Sequence, residues 1–571
     1  MNSSQKLKAR LILLLIFLLT SALAFSLYWT QIRNGASYAT KADRQYAKPS
    51  ANLFDRGSIF FSSKEGDKIA AATLGGGYLV FMNPSMIADP DSAYGALSQY
   101  LNIDKGVFLA KAAKANDHYE EVAGQVSEAT STSIKSLGLA GVGVVKENWR
   151  QYPGGTMAAH EIGILGEDAE SDLAAGRYGL ERSYQSVLVR NGSASDSNAF
   201  VKLFSDLKQS VLGSGGAEGD IVTTIEPTVQ KYLEKILGQT SSVWHPDEIG
   251  GIVIDPSTGE IVAISSLPTF DPNNTAAVKN ANLFANPLVE HVYEMGSIMK
   301  PLTMATALDS GAETADSTYD DTGTMTLSGK KISNFDGQAR GIIPMQEILS
   351  QSLNVGAATI ALKVGKEEFL KYFSSFGLTA KTNIDLPNEA TGLTGNLKTG
   401  RDVEVATAAY GQGIAISPVN MARALSVLAN GGYVVTPHLV KEIDYAGGRT
   451  EEKAFPKTGP VLKKQTADEV TKMLVKVVDT ALVKGAIKMD RYSIAAKTGT
   501  AQIPDHVNGG YYSDRYLHSF FGYFPAYNPK FLVFLYQIYP KGAEYASATL
   551  TDPFDRITKF LIDYYDVAPD R

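Results

Sequence analysis

The sequence predicts an α/β fold in which an antiparallel sheet is flanked by helices. It also predicts an elongated α+β pedestal ahead of that sheet, and one N-terminal transmembrane helix. Three observations lead to this prediction. An uncharged apolar run covers Leu11–Ile32. Runs rich in β-forming residues lie at 250–263 and 518–538, with helical patterns between them. Three short polar strings occur in order along the same part of the chain, from residue 297 to residue 500.

Composition limits the possible classes of function. With 571 residues, the chain can form two or three domains, and its net charge of -7 argues against binding nucleic acid. It contains no Cys, which excludes disulfides, thiolate metal sites and a Cys nucleophile, and is compatible with an oxidising compartment. The seven His include no pair with H-x-x-x-H spacing. We therefore predict no metal and no cofactor.

The apolar run Leu11–Ile32 is long enough to cross about 30 Å of hydrocarbon. Lys6, Lys8 and Arg10 precede it, which places residues 1–10 in the cytoplasm and the remainder of the chain outside. The alternative is a cleaved signal peptide, because Ala22–Ala24 resembles a small-residue cleavage site. Apolar residues continue beyond this point, and no second run of this length follows. The sequence therefore favours an uncleaved, single-pass anchor.

The segment 33–218 mixes short strand-like runs, such as Tyr78–Met82, with polar helical patterns. This mixture predicts an α+β segment, and we expect no catalytic site in it. Its carboxylates, such as Glu120 and Glu121, are interpreted as solvated helix faces. The Gly-rich stretch Gly213–Gly219 predicts a linker, so that the next domain covers residues 219–571.

The first polar string is Ser297-Ile298-Met299-Lys300. It follows a Gly-marked turn and leads into the apolar spacing of a buried helix. Positions i and i+3 share one helix face, so Lys300 is expected to reach the Ser297 hydroxyl. Other copies of Ser-x-x-Lys begin at Ser3, Ser205 and Ser328, but none has this setting. The alternative interpretation of the string is an ordinary helix N-terminus.

The second and third strings are Ser352-Leu353-Asn354 and Lys497-Thr498-Gly499-Thr500. The third string begins an apolar stretch, and two aromatic β-rich runs follow at 518–524 and 531–538. We predict three consecutive antiparallel strands, with the third string on the sheet edge that faces the nucleophile. Further Lys-Thr-Gly copies at 398 and 457 lie in turn-like contexts. For the second string, the alternative is a helix cap or loop pair.

Together the strings supply a nucleophile with a nearby amine, a polar relay and an anion-binding strand. These are the parts needed to open an amide and hold an acyl-enzyme. On these strings, the chain resembles a class B, monofunctional penicillin-binding protein, a peptidoglycan transpeptidase. Residues 250–263, Tyr410–Gly413 and Arg150–Pro153 add to the resemblance, which is strong over 219–560 and moderate over 150–190.

The resemblance implies a penicillin-binding, serine β-lactamase-like transpeptidase domain at 219–571 and a dimerisation-type pedestal at 33–218. It also implies that unprotonated Lys300 takes a proton from Ser297, which attacks the carbonyl between two terminal D-alanines of a stem peptide. The backbone N–H groups of Ser297 and Thr500 would form the oxyanion hole. The other implied roles are a proton relay at Ser352, a substrate-backbone contact at Asn354, and carboxylate binding by the strand of Lys497, Thr498, Gly499 and Thr500.

The first string departs from the Pro-Gly-Ser-Thr-Phe-Lys usual in the family, because Met295, Ile298 and Met299 replace three of its residues. This predicts a differently shaped cleft floor. Glu294 is interpreted as favouring a helix dipole, not as a second base. The expected partners are peptidoglycan stem peptides, β-lactams, the membrane and a polytopic membrane glycosyltransferase.

Two alternatives remain: a serine hydrolase of the same fold (a D,D-carboxypeptidase or β-lactamase) and a non-catalytic penicillin-binding scaffold. An elongation or a septal role, the acceptor amine and the oligomeric state are left open by the sequence.

Overall fold

The computed structural model describes residues 55–114, 116–167, 174–190, 218–505 and 507–571, together with Thr20. The predicted anchor 11–32, apart from Thr20, and the predicted cytoplasmic segment 1–10 lie outside the described residues, as does most of the predicted linker. Within the described ranges, no helix is both long enough and apolar enough to cross a membrane.

The described strands, numbered in chain order, are β1 (Ile59–Ser62), β2 (Lys68–Met82), β3 (Glu120–Val126), β4 (Val142–Gln151), β5 (Leu165–Glu167), β6 (Ala174–Gly176), β7 (Gly219–Thr223), β8 (Glu248–Ile254), β9 (Ile261–Leu267), β10 (Thr318–Asp321), β11 (Thr324–Leu327), β12 (Lys330–Ser333), β13 (Gly341–Pro344), β14 (Val440–Tyr445), β15 (Thr450–Glu452), β16 (Ala495–Pro504), β17 (Tyr511–Phe524) and β18 (Phe531–Ile538).

The described α-helices are α1 (Pro90–Leu97), α2 (Lys105–Ala112), α3 (Glu128–Ser136), α4 (Ala159–Ile162), α5 (Gly179–Ser183), α6 (Gln185–Leu188), α7 (Pro227–Trp244), α8 (Pro287–Glu290), α9 (Lys300–Asp309), α10 (Gln346–Ser350), α11 (Asn354–Val364), α12 (Lys366–Ser375), α13 (Asp402–Ala408), α14 (Pro418–Ala429), α15 (Lys464–Lys476), α16 (Ala546–Thr549) and α17 (Thr551–Tyr564).

The chain divides into two compact units. The smaller contains Leu74–Arg150 among the described residues, and the larger contains Arg56–Thr73 and the described parts of Gln151–Arg190 and Leu203–Arg571. In the smaller unit, α1, α2 and α3 bury an apolar cluster with β2 and β3, including Val80 and Phe108. The predicted limits of the pedestal, 33–218, stay a prediction.

The interpretation of Glu120 and Glu121 as part of a helix face is wrong. Both residues lie in β3, which pairs antiparallel with β2, so that Glu121 is opposite Phe81. Glu120 forms an ion pair with Lys114 just before the strand. The local polar sequence resembles a solvated helix, but pairing with a strand nearly 40 residues earlier decides the conformation.

The central sheet of the larger unit has the strand order β16-β17-β18-β8-β9, and all its neighbours are antiparallel. This confirms the three predicted consecutive strands, the predicted hairpin at 250–263 and the position of Lys497–Thr500 on an edge strand. β17 begins at Tyr511, earlier than the predicted 518, because the hairpin with β16 continues as far as Pro504.

Helices cover both faces of this sheet, as predicted. On one face, the Phe520 ring of β17 stacks on Phe554 of α17, with ring centroids 4.5 Å apart. On the other face, the Tyr523 hydroxyl hydrogen-bonds the Thr471 hydroxyl of α15 at 2.7 Å. Because neighbouring side chains of a strand point to opposite faces, β17 joins both helical layers to one sheet.

The larger unit also contains a second sheet, in which β15, β14, β7 and β1 are neighbours in that order. The Arg56 guanidinium lies just before β1 and donates from Nε to Glu181 Oε2 of α5 at 2.7 Å. Both side chains are at most 1% exposed. A buried pair of this kind ties the start of β1 to a segment 125 residues later.

Candidate active site

The first string lies in a tight turn at the start of a buried helix. Gly296–Met299 form a 3-10 turn, and α9 begins at Lys300. Ser297 is partly exposed, whereas Lys300 is fully buried. The two residues are therefore separated by one turn, with the hydroxyl at the surface and the amine beneath it, as the i, i+3 spacing predicts.

Gly499 of β16 allows the sheet edge to approach this turn. A Cβ at this position would lie 2.3 Å from Ser519 Oγ and 2.7 Å from the Met295 carbonyl oxygen. The Ser519 hydroxyl itself donates to that carbonyl at 2.7 Å. Gly499, predicted as a substrate-binding residue, thus has a packing role, since only glycine lets the strand dock against the segment that carries Ser297.

The Lys300 amine connects the first string to the second. Its Nζ lies 2.5 Å from the Ser352 carbonyl oxygen, 3.2 Å from Ser352 Oγ and 2.8 Å from Asn354 Oδ1. The Lys300 backbone N–H donates to the Ser297 carbonyl oxygen, but within the described part of the chain no hydrogen bond joins Lys300 Nζ to Ser297 Oγ. The expected contact of these two side chains is therefore not formed in this structure, where Lys300 is held by the second string.

Lys497 approaches the same hydroxyl from the sheet edge. Its Nζ donates to Ser352 Oγ at 3.0 Å and to the Thr498 carbonyl oxygen at 2.9 Å. The Ser352 hydroxyl thus lies between the amines of Lys300 and Lys497, which belong to different strings. The structure brings all three strings together around one serine, 55 residues from Ser297 in sequence and 145 from Lys497.

Burial favours the neutral form of both lysines. The pKa of Lys300 is lowered well below its ordinary value, first by burial and then by the positive charge of Lys497. Burial also lowers the pKa of Lys497, to about 7. Lys300 is thus suited to accept a proton at neutral pH, while Lys497 can still carry the positive charge that a carboxylate needs.

These two shifts predict a bell-shaped pH dependence for acylation by a β-lactam. The rate constant should rise with pH as Lys300 loses its proton, because only the neutral amine can act as a base. It should fall above about pH 7, because Lys497 then loses the charge that binds the substrate carboxylate. The measurement is the second-order rate constant for acylation by a fluorescent penicillin, from about pH 5 to about pH 10.

Lys497→Arg is the matched variant for this profile, because a guanidinium keeps its charge at every pH used. Its acylation can be slower at all pH values, since the two side chains differ in shape. The informative quantity is the shape of the profile, in which the alkaline limb should disappear and the acidic limb remain. An alkaline limb that persists unchanged in Lys497→Arg would contradict the assignment.

A cleft of about 630 Å³ opens above this arrangement. Predicted site residues that line it are Ser297, Ser352, Asn354, Thr498 and Thr500. Lys300 and Lys497 lie buried beneath its surface, at 0% and 3% exposure. The partly exposed hydroxyls therefore face the space that a substrate can enter. The two amines lie beneath this surface, where both contact the Ser352 hydroxyl.

The Thr500 hydroxyl is positioned by the segment after the sheet. Its Oγ1 accepts a hydrogen bond from the Ala546 backbone N–H at 3.1 Å. Because a hydroxyl has one proton and two lone pairs, this contact leaves the Thr500 proton free to be donated into the cleft. That orientation suits an anionic ligand group.

Several cleft residues were not identified from the sequence. They include Lys331, Phe335, Gln412, Gln502, Tyr516, Glu544 and Tyr545. Phe335 and Tyr545 come from segments about 210 residues apart, and their ring centroids are 6.2 Å apart. Only two of them had a signal in the sequence. Gln502 lies two residues after the third string, and Gln412 lies in the Tyr410–Gly413 segment that resembles the family.

The residues of the first string that depart from the family pattern do not line the cleft, and the predicted change in the shape of its floor stays a prediction. Met295, Ile298 and Met299 are each at most 1% exposed, and the cleft lining within the described residues includes none of them. They pack into the main apolar core. The substitutions therefore change the core beneath the turn, because the 3-10 turn directs only Ser297 outward.

Glu294 has a role that its position before a helix did not indicate. Its carboxylate accepts hydrogen bonds from the Gly413 backbone N–H at 3.1 Å and from the Tyr511 hydroxyl at 3.0 Å. Burial raises its pKa. Through these hydrogen bonds, Glu294 holds the nucleophile turn against the 411–413 loop and the β16–β17 hairpin. It does not line the cleft.

The described ranges contain no group of three or more His, Asp or Glu side chains that could hold a metal ion. Buried His518 is held by the Thr549 hydroxyl and the Glu544 carbonyl oxygen, and burial lowers its pKa to about 4. The predicted absence of a metal and of a cofactor stays a prediction.

Comparison with known proteins agrees with this geometry. The penicillin-binding protein transpeptidase domain matches residues 249–558, and the penicillin-binding protein dimerisation domain matches residues 56–198. The first match covers more than half of the chain, which therefore belongs to the penicillin-binding protein transpeptidase family. The resemblance seen in the sequence is confirmed.

Two similar bacterial proteins are named for sporulation and for peptidoglycan transpeptidation, respectively. Stage V sporulation protein D of Bacillus subtilis is 30% identical over 491 residues, which cover 83% of this chain and 73% of that protein. Peptidoglycan D,D-transpeptidase FtsI of Buchnera aphidicola is 28% identical over 569 residues, covering 97% and 94%. The similarity thus extends well beyond the transpeptidase domain.

Solved structures show the same fold. Penicillin-binding protein 2X from Streptococcus thermophilus superposes with a TM-score of 0.72 at 20% identity, covering 90% of this chain and 81% of the other. Penicillin-binding protein 3 from Mycobacterium tuberculosis, complexed with aztreonam, gives a TM-score of 0.67 at 22% identity, covering 91% and 98%.

Proposed function

We propose that this protein is a peptidoglycan D,D-transpeptidase that crosslinks stem peptides through an acyl-enzyme on Ser297. The observation that carries the proposal is the meeting of Lys300 and Lys497 at the Ser352 hydroxyl, below a cleft that Ser297 lines. Membership of the transpeptidase family supports the same activity.

In the first half-reaction, the neutral Lys300 amine accepts the Ser297 hydroxyl proton while Oγ attacks the carbonyl carbon between the two terminal D-alanines. A well-placed general base contributes roughly 10²- to 10⁴-fold to the rate. Because Lys300 Nζ is hydrogen-bonded to the second string in this structure, it must shift towards Ser297 to accept the proton. Such a shift is expected on substrate binding, since catalytic hydrogen bonds are often long in free enzymes and tighten only in the complex.

The tetrahedral intermediate then develops negative charge on the former carbonyl oxygen. The proposed donors are the backbone N–H groups of Ser297 and Thr500, and one such donor contributes roughly 10²- to 10³-fold. Collapse of the intermediate breaks the amide bond, and the leaving D-alanine nitrogen takes a proton from Ser352. Lys300, which carries the proton taken from Ser297, then returns a proton to Ser352 through the hydrogen bond that joins them, while Lys497 keeps its positive charge.

The substrate carboxylate is held by the edge strand. Protonated Lys497 and the hydroxyls of Thr498 and Thr500 supply charge-assisted hydrogen bonds to it. Asn354 contacts the substrate backbone. In the second half-reaction, an amine of a neighbouring stem peptide attacks the ester carbonyl carbon and loses a proton to the neutral Lys300 amine. The new amide forms as the ester bond breaks, and the Ser297 oxygen takes up that proton. A β-lactam acylates Ser297 by the same route.

The cellular setting proposed from the sequence is the bacterial cell membrane. Residues 11–32 serve as a single-pass anchor, residues 1–10 are cytoplasmic, and the catalytic domain lies outside the cell. A polytopic membrane glycosyltransferase of the elongation or division machinery is the proposed partner, because a transpeptidase needs newly made glycan strands close by.

A mass-spectrometric experiment tests the proposal on the full-length chain in detergent. After brief exposure to a panel of β-lactams, we expect one adduct per molecule, mapped by peptide analysis to Ser297. A donor peptide ending in D-alanyl-D-alanine, supplied with an amine acceptor, should then give the crosslinked product.

Hydrolysis of the donor without transfer would identify a carboxypeptidase, and rapid nitrocefin turnover would identify a β-lactamase. The absence of any adduct in folded protein would favour the non-catalytic scaffold.

A further inference from the structure

We infer that Asn334 is a positioning residue for the transpeptidase reaction, and that it acts by holding the second string in place with the help of Asp321. This inference rests on the proposed function and adds a residue to it. Asn334 follows β12, lies 20 residues before Asn354 and is 3% exposed. No sequence signal marked it.

Asn334 binds the beginning of α11 directly. Its Oδ1 accepts a hydrogen bond from the Val355 backbone N–H at 3.1 Å. The N–H groups in the first turn of a helix have no partner within the helix, so a side-chain acceptor there determines where the helix starts. Because Asn354 is the first residue of α11, the Asn334 amide sets the position of the second string.

Asp321 determines which way the Asn334 amide points. Asn334 Nδ2 donates to Asp321 Oδ1 at 2.8 Å and to Oδ2 at 3.0 Å. An ionised carboxylate only accepts hydrogen bonds, so the NH₂ group must face Asp321 and the amide oxygen must face α11. Asp321 is fully buried. The Arg340 backbone N–H donates to the Asp321 carbonyl oxygen at 2.9 Å, and the Arg340 guanidinium forms an ion pair with the carboxylate at 3.5 Å.

A neighbouring contact holds Asn354 itself. Its Nδ2 donates to the Ser333 carbonyl oxygen at 3.0 Å, which turns Oδ1 towards Lys300 Nζ at 2.8 Å. Two consecutive residues at the end of the β11–β12 hairpin, Ser333 in β12 and Asn334 just after it, therefore hold two consecutive residues of α11. The hairpin region acts as a support for the acceptor that receives the Lys300 hydrogen bond.

Ser352 makes such support necessary. Its φ of 58° lies in the left-handed region, which is unfavourable for a residue with a Cβ and persists only where the surroundings impose it. Leu353 is held on one side by its N–H bond to the Ile348 carbonyl oxygen, and Asn334 holds α11 on the other. Loss of the Asn334 contact would let Ser352 relax and move its hydroxyl away from Lys300 and Lys497.

Three variants test this inference on the full-length protein. Asn334→Asp keeps the shape but places a second acceptor against Asp321, and Asp321→Asn removes the acceptor that orients the amide. The double variant Asn334→Asp/Asp321→Asn exchanges the two groups: Asn at 321 can donate to Asp at 334, whose other oxygen accepts from Val355. The net charge facing Arg340 is the same as in the wild type.

The measurement is the rate constant for acylation of Ser297 by a fluorescent penicillin, at the wild-type pH optimum. We expect each single variant to be about 10- to 100-fold slower, since small displacements of catalytic groups have effects of this size. The double variant should regain most of the wild-type rate. Gln338→Ala, an exposed position in the same loop, is the matched control and should react like the wild type.

Charged groups around this pair are Asp321 on β10, Arg340 before β13, Asp336 in the intervening loop and Lys300 across the second string. All variants are therefore compared at one pH, so that no difference in rate arises from a difference in the pH of the measurement. Thermal unfolding midpoints of the same variants separate lost positioning from lost folding. If Asn334 positions the second string, the double variant must recover the acylation rate constant as well as the unfolding midpoint.

Single variants that react as fast as the wild type would overturn the inference. A double variant that stays as slow or as unstable as the singles would do the same, because restored donor–acceptor complementarity would then have no effect. A wild-type protein that is not labelled at Ser297 would instead refute the proposed function, so the two failures are distinguishable.

Discussion

Replacing Ser297 with alanine is expected to abolish the covalent adduct with every β-lactam and to lower transpeptidation by about 10⁴-fold or more. The reason is that the ester on Ser297 is the intermediate itself, and alanine provides no atom to form it. Ser297 is the residue of the first string that the 3-10 turn exposes, while its neighbours Ile298 and Met299 are buried.

The measurement for Ser297→Ala is intact-protein mass spectrometry after β-lactam exposure, together with the rate of crosslinked product formation. Ser547→Ala is the matched control, because Ser547 lines the same cleft and should retain full labelling when substituted. An adduct that survives in Ser297→Ala at the wild-type rate would show that another residue is the nucleophile.

Lys300→Met is expected to slow acylation by roughly 10²- to 10⁴-fold, the contribution of a general base. Methionine is apolar and of similar length, so it suits a fully buried position and removes the amine without adding charge. The variant also loses the hydrogen bonds to the Ser352 carbonyl oxygen and to Asn354 Oδ1, so the effect should lie towards the upper end of this range.

The control for Lys300→Met is Lys331→Met, the same change at an exposed lysine that lines the same cleft. We expect it to alter acylation by no more than a few-fold, because it removes a charge from the surface of the cleft and not the proposed base. The pH profile of Lys300→Met should also lose its acidic limb. Equal effects of the two substitutions would show that Lys300 contributes through the charge of the cleft, and not as a base.

The central sheet was predictable because its signals are local. Nearly continuous buried runs in β8 and β9 and aromatic runs in β17 and β18 reflect strands that face two helical layers. The turn and helix around Ser297 were predictable for the same reason. Glu120 shows where this reasoning fails, because its strand is stabilised by pairing with β2 and not by its own sequence.

The sequence by itself determined which side chains carry the chemistry and the order in which they occur, because three spaced strings and their flanking patterns are properties of neighbouring residues. Only the tertiary structure decided that Lys300 and Lys497 meet at Ser352, that Gly499 serves the approach of β16, and that Asn334 supports α11. These are contacts between segments tens to hundreds of residues apart, and their distances depend on how helices and strands pack, which local patterns do not encode.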